Sequence, residues 1–137
     1  MAKVRETMTR DVVSVKPSAT IIEVAQKMRD YGTGFIPVCE NGKFRGMVRE
    51  RDIITHIVAT AQDPKSERAT SVMHRTPTVS PGEDSIQAAK VMTSDNLRVL
   101  PVVAHSGRLL GLLSLDDLAQ ESLALAANVL VKTAERS

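Results

Sequence analysis

The sequence predicts an α+β fold made of two copies of one structural unit. The two halves of the 137-residue chain come into register when one is shifted by 64 or 65 positions. The matched pairs include Met8 with Met73, Pro17 with Pro81, Pro37 with Pro101, and Asp52 with Asp117. A fixed period of this length indicates a repeat, and a unit of about 55–60 residues is marginal for an independent core. We therefore expect the two units to share a core.

In the first half, an extended stretch at residues 12–15 precedes a helix and a β-hairpin. Thr20 opens a capping-box pattern, and the apolar residues after it recur with helical period. Strands are predicted at residues 35–39 and 44–48. The dipeptide Asn41-Gly42 between them is typical of a two-residue hairpin turn.

The second half repeats this order of patterns. The corresponding segments are an extended stretch at 78–79, a helix that begins at Asp84 with a capping-box pattern (Asp84 and Gln87), and strands at 99–103 and 109–113. A second helix is predicted to begin near Arg49 in the first half and near Ser114 in the second. Each half is therefore predicted to be β-α-β-β-α.

These patterns divide the chain into four segments. They are a first repeat at residues 3–60, a polar linker at 61–70, a second repeat at 71–125 and a C-terminal helical extension at 126–137. Residues 118–132 are rich in Leu, Ala and Val and predict one long final helix. Its surplus of apolar surface indicates either an oligomer contact or packing against its own chain.

Composition excludes several classes of protein. Hydrophobic residues make up 42% and charged residues 25% of the chain, which is ordinary for a folded domain. The net charge of +2 and the aromatic content of 2% do not favour a nucleic-acid partner. With one cysteine, Cys39, the chain can form no internal disulfide, and no apolar run approaches the roughly 18 residues of a membrane span. We expect a cytoplasmic protein without membrane contact.

No motif of an enzyme or a metal site is present in the sequence. His56, His74 and His105 are scattered, and no phosphate-binding glycine loop occurs. Cys39 and the histidines lack metal-ligand spacing. We therefore predict no catalytic residues, no metal and no obligatory cofactor.

One pattern resembles a known family. An apolar residue, Pro-Val, and then spaced glycines before a final Asp occurs as Ile36 to Asp52 and, with one insertion, as Leu100 to Asp117. This pattern is similar to the CBS domain, named after cystathionine beta-synthase, and covers roughly residues 3–125 as a tandem pair, also called a Bateman module. The chain looks like a stand-alone, bacterial-type CBS domain-containing protein.

The resemblance implies a fold, a ligand class and an assembly. The two repeats would pack sheet to sheet with pseudo-two-fold symmetry, and such pairs commonly form homodimers. Clefts between the repeats can hold AMP, ADP, ATP or S-adenosylmethionine as a regulatory ligand. The implied function is a sensor that signals to a separate partner protein; the alternative is a protein-interaction or scaffold module with degenerate ligand clefts.

The resemblance implies that the motif Gly111–Asp117 holds the better ligand site. An Asp carboxylate accepts hydrogen bonds from both ribose hydroxyls, and Ser114 with the N–H groups of the following helix would meet a phosphate. The further contacts implied for this site are Thr9, Val12, Val13, Thr33, Phe35, Arg98, Leu113, Ser114 and Asp117. From the residues alone, Ser114-x-x-Asp117 is equally a helix-capping arrangement, and Arg98 equally a surface residue.

The corresponding motif of the first repeat departs from this pattern. Asp52 is retained, but Arg49 stands in place of the hydroxyl residue. The second site implied by the resemblance consists of Arg49, Asp52, His74, Pro77 and Thr78. Two interpretations of Arg49 remain open: it binds a phosphate directly, or it fills the cleft.

Overall fold

Each half of the chain folds around an antiparallel two-stranded hairpin with helices beside it, which confirms the predicted α+β class. The computed structural model describes residues 2–136, with the side chain of Arg136 excepted. In chain order the elements are α1 Val4–Thr7, α2 Ile21–Tyr31, β1 Phe35–Glu40, β2 Lys43–Arg49, α3 Glu50–Ile53 continued by a π-helical turn at Ile54–Val58, α4 Ala69–Val72, α5 Ser85–Ser94, β3 Val99–Val103, β4 Leu109–Ser114, α6 Leu115–Glu121 and α7 Leu123–Arg136. Within this part of the chain no helix has the length and apolar character needed to cross a membrane.

The two hairpins have the same register and the same irregularity. Pro37 pairs with Met47 in the first hairpin, and Pro101 pairs with Leu112 in the second. Each pairing shifts by one residue directly after the Pro-Val dipeptide. The turn at Asn41-Gly42 has positive φ at both residues, 54° and 81°, which is the backbone geometry that such a hairpin turn requires.

The first predicted strand of each half is reduced to a single bridge. Val15 pairs in parallel with Val38, and Val79 pairs in parallel with Val102. A proline follows two positions later in each half, at Pro17 and Pro81. Because proline has no N–H to donate, the ladder cannot extend further, and the predicted strands at 12–15 and 78–79 do not form as such.

The capping patterns of the two equivalent helices have different outcomes. Thr20 caps α2, because its Oγ1 accepts a hydrogen bond of 3.2 Å from the N–H of Glu23. Asp84 precedes α5, but its Oδ1 accepts a hydrogen bond of 2.9 Å from Lys3 Nζ and its side chain makes no cap. The helix α5 therefore begins where the pattern predicts, but without the predicted hydrogen bond from a backbone N–H to the Asp84 side chain.

The prediction of one long final helix is wrong. α6 ends at Glu121, and α7 begins at Leu123. Between them Ser122 has extended dihedral angles of −154° and 113°, and its Oγ accepts a hydrogen bond of 3.3 Å from the N–H of Leu125. A serine whose side chain satisfies a free N–H favours the start of a new helix, and this explains the break.

α7 uses two apolar faces. One face packs within its own unit, where Ala126 and Val129 are buried with core residues of α5 and α6. The other face leaves large apolar side chains in solvent: Leu123 is 76% exposed, Leu130 46% and Val131 53%. Packing against the chain therefore accounts for only part of the apolar surplus.

The compact units of the structure cut across the sequence repeats. One unit joins the described residues up to Val12 with those from Pro77 onward, and the other is Val13–Thr76. Val4 and Met8 accordingly belong to the apolar core of the second hairpin. Ala69 and Val72, at the boundary of the predicted linker, belong to the core of the first hairpin.

We call residues 2–12 and 69–76 the lead-in segments. Gly111 in β4 and Gly46 in β2 allow each of them to reach the hairpin of its own unit. Thr9 and Leu112 exchange backbone hydrogen bonds of 2.8 and 3.0 Å, and His74 and Met47 exchange two of 3.0 Å. A Cβ added to Gly111 would lie 2.4 Å from the carbonyl oxygen of Thr9. At Gly46 the corresponding distance, to the carbonyl oxygen of His74, is 3.1 Å.

We predict that Gly111→Ala destabilises the protein by about 1–3 kcal/mol, because backbone must move to admit the methyl group. Gly46→Ala should cost less, because its contact is looser. Urea unfolding of each variant measures these differences. Gly82→Ala is the control, since its nearest neighbouring atom is 3.7 Å away. Equal losses at Gly111 and Gly82 would contradict the close approach described here.

Candidate ligand-binding sites

Each unit brings together three side chains at the point where a strand ends, a helix begins and the lead-in segment passes. In one unit these are Thr9, Ser114 and Asp117. In the other they are His74, Arg49 and Asp52. The members correspond pairwise through the repeat, so the two groups are versions of one arrangement with different chemistry.

Asp117 is the centre of the first group. Its Oδ1 accepts a hydrogen bond of 2.9 Å from Thr9 Oγ1, and its Oδ2 accepts one of 2.8 Å from the N–H of Ser114. In return the N–H of Asp117 donates to Ser114 Oγ at 3.1 Å. The capping box expected from the sequence is therefore present. Asp117 as a whole residue is 9% exposed.

The carboxylate of Asp117 retains capacity as an acceptor. A carboxylate offers about four lone-pair positions, and the two bonds it accepts here come from a hydroxyl and a backbone N–H, both neutral. Capping and ligand contact do not exclude each other at this residue. The group can accept further hydrogen bonds from a ligand's hydroxyls.

Asp52, at the centre of the second group, is bound by a cation. Its Oδ2 accepts hydrogen bonds from the backbone N of Arg49 at 2.9 Å and from Arg49 Nε at 3.1 Å. Its Oδ1 accepts a third from Arg49 Nη2 at 2.8 Å. The guanidinium thus holds both carboxylate oxygens in the two-pronged geometry that makes such pairs strong.

His74 completes the second group in the position that Thr9 holds in the first. Its Nδ1 lies 3.3 Å from Asp52 Oδ2. This nitrogen is buried and makes no well-aligned hydrogen bond to a described residue. The imidazole is therefore close to the ion pair without being fixed by it.

The ion pair and the burial shift two pKa values. Burial alone would raise the pKa of Asp52, but the hydrogen bonds and charge of Arg49 outweigh it and hold that pKa below its usual value. Burial, followed by the charge of Arg49, lowers the pKa of His74 against the opposing effect of Asp52. At neutral pH the group therefore contains a charged Arg49–Asp52 pair beside a neutral imidazole.

A cavity of about 520 Å³ adjoins the second group and lies entirely within Val13–Thr76. Its lining includes Arg49, Asp52, His56, Glu67, Ser71 and His74. Its size is in the range of small-molecule sites.

Across the described residues, no three His, Cys, Asp or Glu side chains converge closely enough to hold a metal ion.

Arg98, the predicted phosphate contact, is engaged by α7. Its Nε donates a hydrogen bond of 2.8 Å to Thr133 Oγ1, and Thr133 is 2% exposed. The carbonyl oxygen of Arg98 accepts a bond of 2.8 Å from the N–H of Leu115. Arg98 thus connects the start of β3 with α6 and α7, and contact with a phosphate stays a prediction.

The other predicted contacts are distributed over both units. Val12, Leu113, Pro77 and Thr78 belong to the unit of Asp117, whereas Val13, Thr33 and Phe35 belong to the unit of Asp52. The side chain of Leu113 is fully buried in the core of its own unit. Thr33 Oγ1 makes hydrogen bonds of 3.2 Å with both the N and the O of Phe35, which shapes the start of β1.

Sequence reasoning missed the ion pair and the cavity beside it. Arg49 and Asp52 are three residues apart at a helix start, a spacing at which opposite charges pair, so the signal was available. The cavity residues His56, Glu67 and Ser71 left no such signal, because only folding brings them together.

We predict that Arg49→Met lowers the free energy of unfolding at pH 7 by about 2 kcal/mol, because it leaves a buried carboxylate without its cation. Since the pKa of Asp52 is lower in the folded state, the pair stabilises the fold above about pH 4, the unfolded value, and this is lost as the pH falls through the folded value. The cost of Arg49→Met should therefore shrink towards pH 3 in urea unfolding. Arg51→Met, at an exposed position of the same helix, is the control. A cost that stays constant from pH 7 to pH 3 would contradict this account of the pair.

Comparison with known proteins gives the family of this chain. The family model of the CBS domain matches twice, over residues 4–59 and 69–124. The CBS domain-containing protein YhcV of Bacillus subtilis is 33% identical over 119 residues, which cover 87% of this chain and 84% of YhcV. The uncharacterized protein MK0525 of Methanopyrus kandleri is 31% identical over 129 residues; the match covers 92% of this chain and spans 65% of the length of MK0525.

A solved structure shows the same fold. The CBS domain protein PAE2072 from Pyrobaculum aerophilum, complexed with AMP, matches with a TM-score of 0.81 and 28% identity, covering 95% of this chain and 99% of that chain. The two matched segments of the family model account for most of the sequence and coincide with the internal repeat. The chain therefore belongs to the CBS domain family and contains two CBS domains in tandem.

Proposed function

We propose that the protein is a regulatory module that binds an adenosyl ligand through Asp117 and has no catalytic activity of its own. The observation that carries this proposal is the state of the Asp117 carboxylate, which is nearly buried and, among residues 2–136, accepts hydrogen bonds only from two neutral donors, Thr9 Oγ1 and the N–H of Ser114. The AMP complex of PAE2072, a relative of the same fold, supports the ligand class. AMP, ADP, ATP and S-adenosylmethionine share the ribose that such a group recognises.

The ribose is the part of the ligand that Asp117 suits best. Two neighbouring hydroxyls can donate to one carboxylate, and the charge of the acceptor strengthens both bonds. Thr9 Oγ1 already donates to Oδ1 from the lead-in segment. A hydroxyl that arrives at Oδ1 uses the second lone pair of that oxygen, or it releases Thr9, whose hydroxyl then accepts a bond itself.

Binding regulates by shifting a conformational equilibrium. A ligand changes the populations of two states only through its different affinity for them. Asp117 lies at the start of α6, and α6 packs against α7, so a change at the carboxylate reaches the helix with the exposed apolar face. We propose that a separate partner protein binds differently to the two states of α7.

The exposed face of α7 also supports a homodimer. Leu123, Ala127, Leu130, Val131 and Ala134 are exposed and follow one another at helical spacing, and we call this set the α7 stripe. A helix that is apolar on both faces is typically buried on both. An antiparallel pair of α7 helices centred on Ala127 would place Leu123 opposite Val131, with no charged residue on the contact line.

We predict micromolar binding of at least one of AMP, ADP, ATP and S-adenosylmethionine in isothermal titration calorimetry. Asp117→Asn should weaken this binding at least tenfold, because it removes the charge that strengthens the ribose hydrogen bonds. Asp116→Asn, at the exposed neighbouring position, is the matched control and should bind as the wild type does. Absence of binding by all four compounds would favour the alternative, an interaction module without a ligand.

We predict that the wild-type protein is a dimer and that Leu130→Glu makes it monomeric, because a charge in the α7 stripe would have to be buried on association. Light scattering after size-exclusion chromatography measures the mass. Lys132→Glu introduces the same side chain at an exposed position outside the stripe and should leave the dimer intact. A monomeric wild type, or a Leu130→Glu variant that stays dimeric, would overturn the assignment of the stripe.

A further inference from the structure

We propose that each chain binds one adenosyl ligand and that Arg49 is the residue that closes the second, equivalent position. This inference rests on the function proposed above for Asp117. It concerns the group of Arg49, Asp52 and His74, in which the acceptor is conserved within the repeat but its surroundings are not.

The two aspartates differ in the number and kind of hydrogen bonds that they accept. Asp117 accepts two hydrogen bonds, both from neutral donors. Asp52 accepts three hydrogen bonds from Arg49, two of them from the guanidinium. A nitrogen of another residue, His74 Nδ1, lies 3.3 Å from its Oδ2. A ribose at Asp52 would have to replace bonds in which both partners are charged by bonds in which only the carboxylate is charged, and these are weaker.

A ligand at Asp52 would also have to displace the guanidinium of Arg49. Asp52 is 3% exposed, so its charge depends on a partner within the protein. If the guanidinium moved away, the carboxylate would keep only the backbone N–H of Arg49 and two ribose hydroxyls. Separating a largely buried ion pair is costly because the remaining charge is left without compensation. The ion pair and the ligand therefore compete for the same two oxygens.

The geometry also favours one of the two interpretations of Arg49. Two donors of Arg49, one on Nε and one on Nη2, are held by Asp52, so a phosphate could meet only the remaining N–H groups of the guanidinium. The side chain of Arg49 is 32% exposed, and the carboxylate that it pairs with, Asp52, follows three residues later in the first turn of α3. Arg49 therefore places its charge against Asp52, and a phosphate would have to share a guanidinium that is already paired.

Lack of room does not explain the closure. The cavity of about 520 Å³ is bordered by Arg49, Asp52 and His74 themselves. A shorter side chain at position 49 would enlarge this space and expose the carboxylate to it. The identity of residue 49 then determines whether the second position is a ligand site or a structural ion pair.

The test is the stoichiometry of AMP binding in isothermal titration calorimetry. Arg49→Ser copies Ser114 into the first repeat, and Arg49→Ser with His74→Thr copies the whole Thr9–Ser114–Asp117 group. We expect one AMP per wild-type chain, two per chain for both variants, none for Asp117→Asn, and one for Arg49→Ser combined with Asp117→Asn. Arg51→Ser is the control and should bind one. Circular dichroism and urea unfolding identify any variant that does not fold, and the two designs of the second site keep the test intact if one of them fails.

The outcomes separate this inference from the function on which it rests. Two AMP molecules per wild-type chain, or one AMP for every folded variant at position 49, would overturn the role of Arg49 and leave the adenosyl function standing. No binding of AMP by the wild type or by the Arg49→Ser variants, together with no binding of ADP, ATP or S-adenosylmethionine by the wild type, would instead refute the function. A wild type that loses all binding with Asp117→Asn and gains a second site with Arg49→Ser supports both.

Discussion

The close approach of a lead-in segment to the glycine of a β-hairpin is the constraint on which both candidate sites depend. Gly111 lets the carbonyl oxygen of Thr9 approach to a distance at which no Cβ fits, and Gly46 allows a looser approach of the His74 carbonyl oxygen, at which a Cβ would be tight. The paired backbone bonds to Leu112 and Met47 then hold these segments in place. As a result, residue 9 and residue 74 each stand beside an aspartate from a helix start more than twenty positions away in the chain. Without this approach, Asp117 would be only a capping residue, and Asp52 would keep its partner Arg49 but would not have His74 beside it.

The same constraint makes the repeat informative, because it gives two environments for one carboxylate. Around Asp117 the partners are a hydroxyl and a backbone N–H, and the acceptor keeps unused lone pairs. Around Asp52 the partners are a guanidinium and a nearby imidazole, and the charge is compensated inside the protein. Burial alone would raise the pKa of Asp52, and the opposite shift shows how strongly Arg49 acts on it. A carboxylate with unused acceptor positions and a structural ion pair thus arise from the same backbone through the exchange of two side chains.

Local patterns in the sequence predicted most of the fold. The strands at β1 to β4 and the turn at Asn41-Gly42 follow from alternation, β-branched content and turn chemistry, all of which are local. The break at Ser122 was missed, because an apolar run hides a single capping serine that acts only when the chain turns there. The cavity beside Asp52 was missed because its lining comes from segments that are distant in sequence. The Arg49–Asp52 pair was within reach of the sequence, but its consequence, the loss of an acceptor, depends on the atomic contacts.

We propose that one of two equivalent aspartates binds the ligand and that the other does not. The most direct measurement is AMP binding by Asp117→Asn and Asp52→Asn, compared side by side in isothermal titration calorimetry. Asp117→Asn should lose the binding of the wild type, whereas Asp52→Asn, if its folding is verified, should retain it at one AMP per chain. Loss of binding in Asp52→Asn with full binding in Asp117→Asn would contradict the account, because it would place the ligand at the aspartate that Arg49 already occupies.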